Sequence, residues 1–312
     1  MKRFVPISVV ISIVVLSDAI VVPPGWLLRS TTSRSYGASA QSNKSAPKKK
    51  VPKRCPDEQF EIGCDPPFKD HVIHEIDERC PKSGRCTAGP AIKLQNQIKN
   101  NLCATGKPVE IGITTVDQLQ KAVDAMVAKH EITYGNLIPP KPEDRPKLKS
   151  LSTVDVSGNE ITLGEGDVVI FQGFVVDAKH DYSFPLGLNG ETVNCNNPAL
   201  NWGDIAINLG ETATSPECST VNARIIPHLR PVLWERFDSN SQTRKFVMHP
   251  LPVKGLRVRI TGQLFFDGSH RPRPCKVPKR RTSWEIHPVY AIDVFDLTTN
   301  QFAPLEEWAK GK

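Results

Sequence analysis

The chain has no glycine-rich phosphate loop ending in Lys-Ser or Lys-Thr, no Gly-x-Ser-x-Gly elbow and no His-Glu-x-x-His pair. Those absences exclude P-loop, serine-hydrolase and zincin chemistry of the usual kind, which needs those residues at those spacings. Aromatic residues are scarce, at 7 % of the chain, so a base-stacking platform has few candidates: Tyr182, Phe184 and Trp202. Charge is short where it first looks plentiful. The net +7 arises in residues 1–54, where ten Lys or Arg face one acid, Asp18. Beyond residue 54, 30 basic residues meet 32 acidic ones, a balance of −2. The high pI is therefore no argument for nucleic acid. The run Lys48-Lys49-Lys50 with Lys53 and Arg54 reads as a solvated linker.

What is present begins with an export signal. Lys2 and Arg3 precede an apolar stretch from Phe4 to Leu16, followed by Ser17-Asp18-Ala19. A cationic start, an apolar segment of that length and small residues before the cut read as a secretory signal over residues 1–22. Ala38-Ser39-Ala40 is a second, more distant cleavage site. The alternative is an uncleaved anchor, since apolar residues continue to Val22, but Pro6 and Asp18 oppose it. Cleavage would leave no stable membrane span. Residues 23–54 read as a disordered basic linker.

Eight cysteines in an exported chain favour disulfides over metal ligands and a secreted or periplasmic setting. Cys55, Cys64, Cys80, Cys86 and Cys103 lie early; Cys195, Cys218 and Cys275 lie late. Both counts are odd, so full pairing requires at least one bond between the two groups. Cys195 and Cys218 flank a hairpin-like region and are the favoured local pair. Cys275 is then the expected cross-link to the N-terminal region, with Cys103 as its partner.

Residues 55–134 read as a Cys-rich and helical region, with helices from about Pro90 to Leu102 and from Thr114 or Thr115 onward. In the second, Val116, Leu119, Val123, Met126 and Val127 share one face. Residues 135–150 look like a Pro- and Lys-rich linker. From 151 to 312 the period becomes two. Strands are expected at 167–178, 190–195, 203–209, 219–227, 256–267 and 284–296, with a short helical piece between Pro231 and Phe237. Gly173 and Gly262 sit inside strands, where glycine marks a bulge or tight bend. The chain is thus expected to be mainly β: a small OB-like β-barrel, with a β-sandwich as the alternative.

Chemistry has two candidate places. If strands 256–267 and 284–296 pair antiparallel, Asp267 comes near Trp284 and Glu285, and Glu285 and His287 point to one face. Asp267, His270, Glu285 and His287 then gather at one barrel end, where they could hold a divalent metal or act as acid and base. The plainer alternative is hydrogen bonding that closes the barrel. Between these strands, Arg271, Arg273, Lys276, Lys279, Arg280 and Arg281 form a basic loop suited to an anionic ligand. A loop charged only for solubility is the competing account. His71-x-x-His74 with Cys80 and Cys86 lacks the spacing of known zinc fingers. His228 and His180-Asp181 read as turn residues.

From Lys99-Asn100-Asn101 to the last strand the chain resembles a group of uncharacterised exported bacterial proteins. The likeness is carried by Glu191-Thr192-Val193-Asn194-Cys195, by Thr261 to Asp267 with His270, and by Trp284-Glu285-Ile286-His287-Pro288-Val289. The resemblance implies export and a shared β domain, not a reaction. Members carry Asp-x-His-Ile in the middle strand, where this chain has Asp204-Ile205-Ala206-Ile207. A ligand or base supplied by that histidine would be lost here.

The leading expectation is a binding module whose basic loop contacts an anionic polymer, nucleic acid or polysaccharide. One alternative is a hydrolase such as a phosphodiesterase built on the Asp/His/Glu/His cluster, the only reading that calls for a divalent metal. The other is a structural envelope module that meets a protein partner through the Cys-rich region.

Overall fold

Alternation of β-branched and polar residues needs two partners to become a sheet, and every long alternating run here finds them. The computed structural model describes residues 55–181, 190–269, 271–272, 275 and 279–312. The expected signal and basic linker therefore lie outside the described residues, as do His270, Arg273, Lys276, Tyr182 and Phe184. In chain order the elements are α1 (Glu75–Arg79), α2 (Pro90–Lys99), β1 (Val109–Ile111), α3 (Ile113–Ala128), β2 (Leu151–Val154), β3 (Glu160–Leu163) and β4 (Val168–His180). They continue with β5 (Ile205–Gly210), β6 (Val221–Ile225), β7 (Arg257–Phe266), β8 (Trp284–Asp296), β9 (Gln301–Pro304) and α4 (Leu305–Trp308).

The sheet runs β4-β5-β6-β8-β7 and closes because β7 also pairs with β4. β6 and β8 are parallel, and the other barrel pairs are antiparallel. A five-stranded closed barrel in this order, with short helical turns between its third and fourth strands, is OB-like. Closure sets aside the β-sandwich. It depends on β4, which pairs with β7 over Val168–Phe174 and then with β5 over Phe174–His180. A bulge between Val175 and Asp177 and the bare backbone of Gly173 let the strand bend there. A Cβ on Gly173 would lie 2.8 Å from the Gly210 carbonyl oxygen; one on Gly262 would lie 2.4 Å from that of Pro288.

The barrel is filled by Ile205, Ile207, Val221, Ala223, Ile260, Leu264, Trp284 and Ile286, among others. Val116, Leu119 and Val123 of α3 join the same core, with Met126 and Val127 packed at its margin. β1 adds to β4 in parallel, so the helical region and the barrel belong to one compact unit, Lys53–Lys312. The stretch 135–150 is folded rather than a free linker: Leu148 is in the core, and Gly135 N–H donates to the Gly268 carbonyl at 2.8 Å.

Two further expectations are corrected. Residues 190–195 form a 3-10 turn at Thr192–Asn194, because Cys195 and Asn196 take positive φ of 54° and 60°, which ends any extended run. The disulfides are Cys55–Cys86, Cys64–Cys103, Cys80–Cys195 and Cys218–Cys275. Neither Cys195–Cys218 nor Cys103–Cys275 forms. The C-terminus of α1 carries Cys80 to the turn at Cys195, and the chain leaving α2 carries Cys103 to Cys64. The bond required between the early and late groups is Cys80–Cys195. Four disulfides point to an oxidising compartment. Among the described residues, no helix is long and apolar enough to cross a membrane.

Candidate binding face of the barrel

Because side chains alternate along a strand, the core residues of β5, β6 and β8 leave their neighbours on the outer face. These are Ala206 and Asn208, Asn222 and Arg224, and Glu285 and His287, with Asp204 just before β5. Register brings them together: Ala206 lies opposite Arg224 and Lys179, and Asn222 lies beside Glu285. In OB barrels the outer face of the second and third strands, here β5 and β6, is the usual ligand surface.

At Asp204, Glu285 and His287 this face is covered rather than solvated. α2 and the residues after it meet the neighbouring β7 at Gln263, which donates to the Ile98 carbonyl at 2.9 Å and accepts from Asn101 at 2.6 Å. Lys99 is 8 % exposed, stands 5.9 Å from the Phe265 ring centre, and is 3.7 Å from Glu191. Burial opposes the Lys99 charge, but the carboxylates of Asp267, Glu191, Glu285 and Asp204 outweigh it and raise its pKa.

Beneath lies a buried ionic network. Arg280 donates through Nη1 to Asp267 Oδ2 at 3.1 Å and to Glu285 Oε1. Glu285 Oε2 stands 3.4 Å from His287 Nδ1, and His287 Nε2 stands 3.6 Å from Asp204 Oδ2. Asp204, Asp267, Arg280, Glu285 and His287 are each 3 % exposed or less. Burial works to raise the Glu285 pKa, yet Arg280 and the His287 hydrogen bond bring it down to about 2. Asp267, Glu285 and His287 thus meet as the antiparallel pairing implies. One guanidinium nitrogen lies against both carboxylates. Among the described residues no group of three or more His, Cys, Asp or Glu is placed to hold a metal ion.

Beside the network opens a pocket of about 330 Å³ with Ala206 among its lining residues. Its cations are Lys179, Arg224, Lys279 and Arg280; Asn208 and Asn222 add amides, and Asp181 and Glu217 add acids. Arg224 pairs with Asp181, and Lys279 meets Glu217 at 3.2 Å. Lys179 has no ion-pair partner among the described residues. Arg224 Nε and Asn222 Oδ1 are buried without hydrogen bonds. Burial opposes the charge on Arg224, but Asp181 and then Glu285 raise its pKa well above the usual value. The Cys218–Cys275 bond ties the β7–β8 loop to the residues just before β6, next to Glu217 at this pocket.

The basic loop is not a free polycation. Arg280 is in the network, and Arg281 holds Asp117 of α3 through two bonds of 2.6 Å. Arg271 stacks over Tyr134 at 5.0 Å. Of the described basic positions only Lys279 and Arg280 reach the pocket. Sequence reasoning missed Lys179, Asn222, Arg224 and Lys99. The polar alternation Asp204-x-Ala206-x-Asn208 and Asn222-x-Arg224, inside strands otherwise fit for a core, was the available signal.

The other singled-out residues are structural. His228, stacked on Phe60 with centroids 4.0 Å apart, bonds Asp77 at 2.8 Å, and burial lowers its pKa. His228 lies in a turn, as its sequence suggests, and His180 ends β4; both are buried, and His180 bonds Asp238 at 2.8 Å. His74 meets the Arg230 carbonyl at 2.6 Å, while Cys80 and Cys86 are spent in disulfides. Trp202 packs with Ile76 and Cys80 and presents no stacking platform.

Fold and site together define a disulfide-bonded OB-like barrel with a cation-lined pocket on its strand face. No family model matches the chain, and neither a curated protein nor a solved structure does.

Proposed function

We propose that the chain is an exported binding module that holds an anionic polymer, nucleic acid or polysaccharide, at the pocket beside β5 and β6. The observation that carries this reading is the set of Lys179, Arg224, Lys279 and Arg280 around one pocket on the face that OB barrels use for ligands. Acids hold the two arginines in place, so little side-chain freedom is lost on binding. Lys179 lines the pocket and has no ion-pair partner among the described residues, and the partly enclosed setting strengthens its pull on an oxyanion. The hydrolase reading has less support, because Asp267 and Glu285 are buried and both are engaged by Arg280.

The test is titration of the full chain with a fluorescent single-stranded oligonucleotide and with a fluorescent polyuronate across a salt series. The basic run Lys48–Lys50 is neutralised throughout to remove its background. Replacing Lys179 and Lys279 by Glu should abolish binding or flatten the log–log salt slope on the oligonucleotide by about 1.4, from about 0.7 per phosphate contact. An unchanged slope and affinity with both polymers would overturn the proposal.

A further inference from the structure

The cation-lined pocket carries neutral and acidic groups that attraction of an anion does not call for. On one cross-strand rung Lys179 of β4, Ala206 of β5 and Arg224 of β6 lie side by side. Two residues along the strands, Asn208 lies opposite Asn222. Both asparagines line the pocket, and they are 7 % and 8 % exposed. Of their amide atoms, only Asn222 Oδ1 is sealed from solvent without a partner. The Asn208 amide and Asn222 Nδ2 make no hydrogen bond among the described residues and keep accessible surface.

The walls add acids that a ligand can reach. Arg224 pairs with Asp181 and Lys279 with Glu217, yet the two carboxylate side chains stay 29 % and 38 % exposed. Each pairing leaves acceptor capacity, since a carboxylate takes about four hydrogen bonds. Arg280 is held by Asp267 and Glu285, so Lys179 is the lining cation that faces no acid among the described residues.

These accessible groups select among anionic polymers. A phosphodiester backbone presents acceptor oxygens and closely repeated charge, which Asp181 and Glu217 oppose. A neutral sugar brings no charge to Lys179. A uronic acid meets each feature: one carboxylate per ring for the cation rung, and hydroxyls that donate to the acids and exchange hydrogen bonds with the amides. The cation rung and the amide rung are about 7 Å apart along the strands. A hexuronate carries its carboxylate and its far hydroxyls on opposite sides of a ring of that span.

We propose that the polymer held here is an acidic polysaccharide built of uronic acid residues. The sugar carboxylate sits between Lys179 and Arg224, and the ring hydroxyls meet Asn208, Asn222, Asp181 and Glu217. This assignment rests on the reading of the pocket as the site for an anionic polymer.

The probe is an oligogalacturonate, titrated by calorimetry into the full chain with Lys48–Lys50 neutralised. Its comparators are the same oligomer with its carboxyl groups reduced to alcohols, and a single-stranded oligonucleotide of equal charge. The oligogalacturonate should bind about tenfold more tightly than either. Asn208→Leu removes the floor amide without changing charge and should weaken oligogalacturonate by about tenfold, the worth of one or two hydrogen bonds. Should that variant fail to fold, Glu217→Ala on the turn before β6 carries the test. It should weaken oligogalacturonate, whereas a ligand held by charge alone binds more tightly once the acid is gone. Oligonucleotide binding as tight as that of oligogalacturonate, or undiminished oligogalacturonate affinity in the variants, would overturn the sugar assignment and leave the anionic-polymer reading standing. Equal binding of the reduced oligomer, or no binding of either polyanion, would overturn both.

Discussion

The inner and outer faces of β5, β6 and β8 are made by alternate residues of the same strands, and at its Glu285 and His287 end the outer face is as buried as the inner one. Ile207 inside and His287 outside are both 0 % exposed. Yet the inner face is Ile205, Ile207, Ala223 and Ile286, and the outer is Asp204, Asn222, Arg224, Glu285 and His287. A β-face buried against a core is ordinarily apolar, and a solvated one is polar. Here α2 closes over one end of a face composed as if for solvent. The difference teaches that burial by itself does not require apolar residues. It is tolerated where the buried charges are paired, as Arg280 pairs with Asp267 and Glu285.

The largest expected effect breaks the outer face. Glu285→Ala leaves Arg280 and His287 buried without their shared acid and should cost about 3–5 kcal/mol, read from urea unfolding. On the inner face, Ile207→Ala should cost about 2–4 kcal/mol through the cavity it leaves. Its salt slope with oligonucleotide should stay that of the parent chain, since no pocket group has moved.

Acid sharpens the comparison, because only the outer face titrates. Glu285 has a pKa of about 2 in the fold against 4.5 as its ordinary value, so the unfolded chain takes up the proton first as pH falls. Its contribution is complete above about 4.5 and is lost as pH falls through about 2. The urea midpoint should therefore drop across that window, and less steeply in Glu285→Gln.

The smallest effect separates the loop from the pocket. Arg281 pairs with Asp117 where both are about one-third exposed, so Arg281→Ala should cost about 1 kcal/mol or less. The oligonucleotide salt slope should not change. A slope lowered by about 0.7 would return Arg281 to the binding surface.

Much of the barrel was legible because its strands are long and alternate cleanly; β8 spans Trp284–Asp296, the bounds that the pattern of residues indicates. Short elements were not. β1 has three residues, and β2 and β3 have four each, too few for a period to declare itself. The meeting of Asp267, Glu285 and His287 was legible because one strand pairing settles it. Asp204, Arg224 and Lys99 join them from three other segments, and no local spacing relates those segments to one another.

The sequence by itself determined the alternation, the bends at Gly173 and Gly262, the helical face of α3, and, through odd cysteine counts, a bond between the early and late groups. These are properties of neighbours along the chain or of simple counting. The closure of β7 onto β4, the cysteine partners, the cover that α2 lays over a polar face, and the division of one basic loop among network, pocket and α3 were decided only in the tertiary structure. Each brings together groups far apart in the chain, and which ones meet depends on how the whole barrel closes and packs.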